Sequence, residues 1–198
     1  MRILIVGASG TIGRAVAAEL SARHEIVSAG RSSGDFRVDI ADRASIRALY
    51  ASVGRLDAVA CSAGNVHFGP LEAMLPEQFE IGLRDKLMGQ VNLVLDGRDA
   101  VAPGGSFTLI SGILSRDPIR AGSSAAMVNG ALESFVRAAA IELTERRINV
   151  VSPTVLEESM AAYAPYFRGF EPVSVSRVAL AYAKSIEGAQ TGQVYRVE

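Results

Sequence analysis

The sequence predicts an α/β fold: a single domain on a doubly wound parallel sheet of about seven strands, with one of the usual connecting helices missing. Three observations carry this expectation. Short β-branched or wholly apolar runs alternate with longer segments of helical period, the pattern of successive βαβ units. The first run leads straight into spaced glycines. An apolar share of 49% over 198 residues can bury one core, and no composition break marks the start of a second, so residues 1–198 read as one domain.

The elements follow in order. "RILIVG" is a strand, and "TIGRAVAAELSA" places Ile12, Val16 and Leu20 on one helical face. "EIVSAG" and "FRVDI" are strands only five residues apart, too close for a crossover helix, which predicts the deletion. "SIRALYASV" is a helix and "LDAVACSA" a strand. "PEQFEIGLRDKLMGQVNLVLDG" is a long helix and "GSFTLISG" a strand. "AMVNGALESFVRAAAIEL" is the next helix, followed by the strands "RINVVSP" and "GQVYRV". No internal repeat or low-complexity linker interrupts the series.

Composition excludes several function classes. A net charge of −1 without a basic run argues against nucleic acid as a partner. Cys61 is the single cysteine and has no partner for an internal disulfide. The run Ile3 to Val6 is far too short for a signal peptide or a membrane span. A cytoplasmic protein without membrane contact is the expectation. The basic residues are almost all Arg, with Lys only at Lys86 and Lys184.

"VGASGTIGRA" sets Gly7, Gly10 and Gly13 between the first strand and the first helix. Such glycines turn the chain sharply and let a pyrophosphate approach N–H groups at a helix N-terminus, the Rossmann-type arrangement. The second strand ends in "SAGRSS". Gly30 stands where an acid holding ribose hydroxyls would be expected for NAD. Arg31 offers a fork of donors to a 2′-phosphate, with hydroxyls from Ser32 and Ser33. The cofactor expected is therefore NADP(H). Asp39 either accepts from the adenine amino group or caps the helix that starts near Ser45.

From Ile3 to the C-terminus these residues resemble the short-chain dehydrogenase/reductase family. "CSAG", Cys61 to Gly64, stands where that family carries Asn-Asn-Ala-Gly. "FGPLEAMLPEQFEIGLRDKLMGQ" resembles the entry to its long central helix, "RINVVSP" the strand ending beside the nicotinamide, and "TGQVYRV" the closing strand. Thr11 occupies a more usual glycine position, a spacing nearer extended and atypical members. The resemblance implies cofactor contacts from Ser9, Thr11 and Ile12 beside the glycines. It implies further contacts from Ala63 and Gly64 and from Pro153 and Val155, while Asn129 either binds a ribose hydroxyl or faces solvent or a partner. It also implies a homodimer or homotetramer through helices around Gln78–Asp96 and Ala125–Leu143, and the small Ala-rich faces of Ala125–Ala140 permit close approach.

The family's proton relay is another matter. Aligning "NGALESFVRAAAIEL" with the family helix puts the lysine position at Asn129 and the tyrosine position at Ala125. The serine position falls at Gly112, beside Ser111, and the helix asparagine position at Lys86. A methyl group cannot donate a proton to an alkoxide, and an amide cannot depress a neighbour's pKa as a cation does. No shift of register restores the motif, because Gly105 to Leu143 contains neither Tyr nor Lys.

Lys86 is the leading substitute, as a partly buried ammonium beside the nicotinamide that donates a proton or stabilises an oxyanion; its alternatives are a pair with Asp85, Asp96 or a neighbouring subunit, or a hold on the cofactor ribose. Ser111 orients a carbonyl or satisfies a strand end. His67 reaches the mouth of a site or lies on a surface loop. The segment at residues 155–172 corresponds to a substrate lid. There Tyr163, Tyr166, Phe167 and Phe170 close over an apolar ligand or pack the lid down, with Glu157 or Glu158 near the carboxamide end. Two functions remain open: an oxidoreductase using NADP(H) on a small carbonyl or alcohol with a non-standard proton donor, or a catalytically silent NADP(H) sensor or scaffold.

Overall fold

The computed structural model describes residues 1–198. Seven parallel strands form one sheet in the order β3-β2-β1-β4-β5-β6-β7. They are β1 (Arg2–Val6), β2 (Glu25–Gly30), β3 (Phe36–Arg37), β4 (Leu56–Cys61), β5 (Val101–Ile110), β6 (Arg147–Pro153) and β7 (Val194–Val197). The helices are α1 (Thr11–Ser21), α2 (Arg43–Val53), α3 (Pro76–Gly82), α4 (Met88–Gly97), α5 (Ser123–Glu142), α6 (Met160–Tyr163) and α7 (Val175–Glu187).

Alternation along β1 shows how the sheet is covered. Leu4 and Val6 enter a core with residues of α2, α4 and α5, while Ile3 and Ile5 enter one with α1 and α7. The helix between β2 and β3 is absent as expected. Ala29 pairs with Phe36 and Gly30 with Arg37 across the short link.

Three features differ from the expectation. The strand "FRVDI" shrinks to two paired residues at the edge of the sheet, where β2 is its one neighbour. The long central helix is not uniform: α3 and α4 are joined by a π-helical turn, Leu83–Leu87, a local widening that often marks a functional position. Finally α7 is a helix that the strand and helix assignments above omit. Its buried residues Val178, Ala179, Tyr182, Ala183 and Ile186 cover the sheet beside α1. The Tyr182 hydroxyl donates to the Cys61 carbonyl at 2.6 Å, anchoring α7 to the end of β4. No helix is long and apolar enough to cross a membrane.

Candidate functional site

The first half of the site lies at the C-terminal ends of β1, β2 and β4. Gly7 has φ +89°, a conformation that favours glycine. A side chain at Gly13 would meet the Gly7 carbonyl oxygen at 2.1 Å, so α1 can lie against the β1 turn only without one. At Gly10 the nearest atom to an added Cβ is 3.4 Å away, ordinary contact. The fold therefore has no packing need for glycine there, and the bare backbone leaves space for a ligand at the N-terminus of α1. This division of roles fits a pyrophosphate cradle.

A groove of about 350 Å³ runs from that cradle. Gly7, Ser9, Gly10, Arg31, Ser32, Ala63 and Gly64 of the expected contacts line it, together with Val38, Ile40, Asn65 and Asp85. Thr11, Ile12 and Gly13 lie behind, in the first turns of α1. Ser33 turns its carbonyl toward Gly30 rather than lining the groove.

Arg31 is neither free nor merely solvated. Its guanidinium donates to Asp39 at 3.1 Å and to Asp85 at 3.3 Å. Asp85, only 8% exposed, also accepts from the Asn65 backbone and side-chain N–H groups, both at 3.0 Å. The π-helical turn is thus tied to the loop after β4 and to the end of β2. Asp39 does not cap the next helix: Asp42 does, accepting from Ala44 N at 2.9 Å, because α2 starts at Arg43. Asp39 instead accepts from Ala41 N and Arg31.

The second half lies at the ends of β5 and β6. Ala125, where the tyrosine position was expected, is 2% exposed and packs with Ile113 and Leu114, against which Phe167 and Phe170 of the lid also rest. Hydrocarbon fills that place. Asn129 is buried beside Gly112; an added Cβ at Gly112 would stand 3.1 Å from its amide nitrogen, and the Asn129 carbonyl oxygen has no partner. The hydroxyl of Thr154, between Pro153 and Val155, is likewise buried without a partner. Unpaired buried polar atoms are costly and point to a polar ligand. The residues here fit a nicotinamide ribose and carboxamide.

Lys86 sits on the π-helical turn, half-buried, and donates to the Ser111 carbonyl at 3.2 Å. Its stem occupies the room left by Gly64, whose added Cβ would fall 2.6 Å from the Lys86 Cγ. It pairs with neither Asp85 nor Asp96: Arg31 takes the first, Arg43 and Arg47 the second. Desolvation lowers the ammonium pKa to about 8, although its neighbour Cys61, if ionised, would raise it. Burial holds the Cys61 thiol up at about 12, so that thiol is protonated.

Ser111 is not poised to donate to a substrate. Its hydroxyl donates to Glu133 at 3.1 Å, and Glu133 also accepts from Ser115 at 2.7 Å and Ser152 at 3.0 Å. Arg116 donates to the Ser152 hydroxyl and to Glu198. Asp85, Asn65 and Glu133 were not among the residues expected at the site. Glu133 lies one helical turn beyond Asn129, a spacing that could have revealed it.

In the lid, Phe167 meets Tyr163 and Phe170 edge-on, with centroids 6.3 and 5.3 Å apart. The Glu158 carboxylate accepts from Val175 N at the start of α7 and so does not face a carboxamide, and Glu157 is exposed. His67 is half-buried in its loop and lines neither the groove nor the lid cavity.

The sequence profile described as enoyl-(acyl carrier protein) reductase matches residues 7–192. Among solved structures, the protein lin1944 from Listeria innocua is 49% identical, superposes with a TM-score of 0.99, and each chain is covered in full. A small-chain dehydrogenase in complex with NADPH is 25% identical with a TM-score of 0.89, over 100% of this chain and 96% of that one. The tetrahydroxynaphthalene reductase of Pyricularia oryzae is 24% identical over 98% of this chain and 87% of its own length.

Proposed function

The chain belongs to the short-chain dehydrogenase/reductase family, and from that premise we propose an NADP(H)-dependent oxidoreductase acting on a small carbonyl or alcohol, with the Lys86 ammonium as proton donor in place of the missing tyrosine. The observation that carries this reading is the placement of Lys86. Its stem lies against Gly64 of the groove wall and its ammonium reaches the residue after β5, with a single protein acceptor and a pKa of about 8.

The cofactor reading rests on the cradle and on the chain after β2. Backbone N–H groups at the start of α1 face the pyrophosphate, and Gly10 leaves it room. Arg31 and Ser32 take the 2′-phosphate, which draws the guanidinium from its two carboxylates. The NADPH complex of a relative with the same fold supports the same cofactor. Asn129, with its carbonyl oxygen unpaired, accepts from a ribose hydroxyl.

When bound, the nicotinamide supplies a hydride to the carbonyl carbon. Lys86 Nζ passes a proton to the carbonyl oxygen as charge builds there, and the neutral amine regains a proton from solvent. In the reverse direction the neutral amine accepts the alcohol proton. Ser111 acts at one remove, its carbonyl holding Nζ while Glu133 fixes its hydroxyl. Exposed Met88 and Leu95 on α4 and Met127 and Ile141 on α5 support assembly of copies through these two helices.

Carbonyl-dependent NADPH oxidation by wild type and Lys86→Met tests the assignment. The variant is expected to lose ~10²–10³-fold in kcat while holding NADPH as wild type does. Unchanged turnover would remove Lys86 from the chemistry.

A further inference from the structure

The lid closes over a second cavity of about 440 Å³, with Phe68, Pro70, Ile119, Tyr163, Tyr166 and Phe167 in its walls. That size lies in the lower half of the ~300–1,000 Å³ range of ligand pockets. Its walls are aromatic edges and aliphatic surface, and Tyr163 and Tyr166 leave 43% and 59% of their surfaces uncovered. Ring systems fill such a slot better than flexible chains, because edge and offset aromatic contacts are favourable and a rigid ring loses little conformational freedom.

One charged group lines the cavity. Arg120 is exposed and forms none of the ion pairs or hydrogen bonds that hold Arg2, Arg23, Arg31, Arg43 and Arg116. The next residue, Ala121, has φ +62°, the one left-handed non-glycine residue in the chain. Its carbonyl accepts from Gly69 N at 3.0 Å, tying the loop after β5 to the loop after β4. A conformation that costs about 1 kcal/mol or more, held by a cross-link at a cavity wall, fixes where the preceding side chain emerges. Phe167 belongs both to this cavity and to the packing around Ala125. An occupant therefore lies next to the vacated tyrosine position.

We propose that this cavity takes the body of a flat, ring-containing substrate bearing a carboxylate, and that Arg120 selects the carboxylate. A planar guanidinium with all its donors unused is matched to a bidentate carboxylate. The proposal rests on the oxidoreductase reading of the adjoining groove, but its test needs no turnover.

Calorimetric titration of the full chain with 2-naphthoate and with neutral 2-naphthamide separates ring binding from charge recognition. Wild type is expected to bind the carboxylate ~10-fold or more tightly than the amide. Arg120→Gln should lose that preference while holding the amide as before, and Arg120→Lys should recover part of it. Phe167→Ala should weaken both ligands. Equal affinities in wild type, a preference that survives in Arg120→Gln, or no binding of either compound would overturn the proposal. NADPH binding and carbonyl turnover are measured separately. A chain that reduces carbonyls yet ignores 2-naphthoate loses this proposal and keeps the oxidoreductase reading; one that binds 2-naphthoate through Arg120 but not NADPH does the reverse.

Discussion

The two halves of the site have different kinds of parts. At the ends of β1, β2 and β4 the groove is made of backbone: the turn at Gly7, the close packing at Gly13, and the open N-terminus of α1 at Gly10. At the ends of β5 and β6 the walls are made of side chains: Ala125 in an apolar cluster, Asn129 with an orphan oxygen, and Ser111 bonded to Glu133. A backbone device is partly protected by the fold, because the packing of Gly13 against the β1 turn sets where the N–H groups at the start of α1 lie. A side-chain relay has no such protection. Each member can change while the core remains intact, and a cation on a neighbouring turn can assume the proton.

That contrast can be broken most severely at Gly13. Gly13→Ala drives a methyl into the Gly7 carbonyl and should abolish NADPH binding with a destabilisation of about 2–4 kcal/mol, seen in a thermal melt and a nucleotide titration. Gly10→Ala meets only ordinary contacts, so it should leave the melting temperature nearly unchanged while weakening NADPH. Equal thermal effects of the two substitutions would erase the distinction drawn between them.

Lys86 sharpens the comparison from the other half. Its ammonium is present below pH 8 and lost as pH rises through about 8, so kcat for carbonyl reduction should fall through that range and kcat for alcohol oxidation should rise. Pre-steady-state rates of nicotinamide absorbance change over pH 6 to 10 check both limbs. Rates that ignore pH through 8 would contradict proton transfer by this group.

A smaller effect is expected from refilling the vacated place. Ala125→Tyr overpacks the cluster of Ile113, Leu114, Phe167 and Phe170 and should cost ~1–3 kcal/mol in denaturant melts without raising turnover. A gain in turnover would mean that the site still admits the family's own relay.

Much of the groove was legible in the sequence. The spaced glycines, the short link between β2 and β3 and the absence of an acid after β2 are local signals, and each appears where expected. The expectation of a substituted relay rests on an equally local signal, the lack of both Tyr and Lys between Gly105 and Leu143. What was missed depends on tertiary approach. Asp85 reads as one more helix acid until the π-helical turn brings it to Arg31 and Asn65. Glu133 carries no local signal, because only the fold brings to it the hydroxyls of Ser111 just after β5, Ser115 in the turn beyond and Ser152 in β6. The helix α7 carries a signal in the spacing of Val178, Tyr182 and Ile186, but it follows directly on the lid with no break in composition between them. Asp39 and Asp42 are three residues apart, and only the observed start of α2 tells which one caps it.

A retained NADP(H) cradle is the premise of the proposed chemistry, and an equilibrium titration of the purified chain with NADPH and NADH, followed by nucleotide fluorescence, tests it most directly. It predicts tighter binding of NADPH than of NADH by ~10-fold or more, with the preference abolished in Arg31→Ala, because the guanidinium is the main group offered to the 2′-phosphate. Binding of neither nucleotide, or a preference that Arg31→Ala leaves untouched, would contradict it.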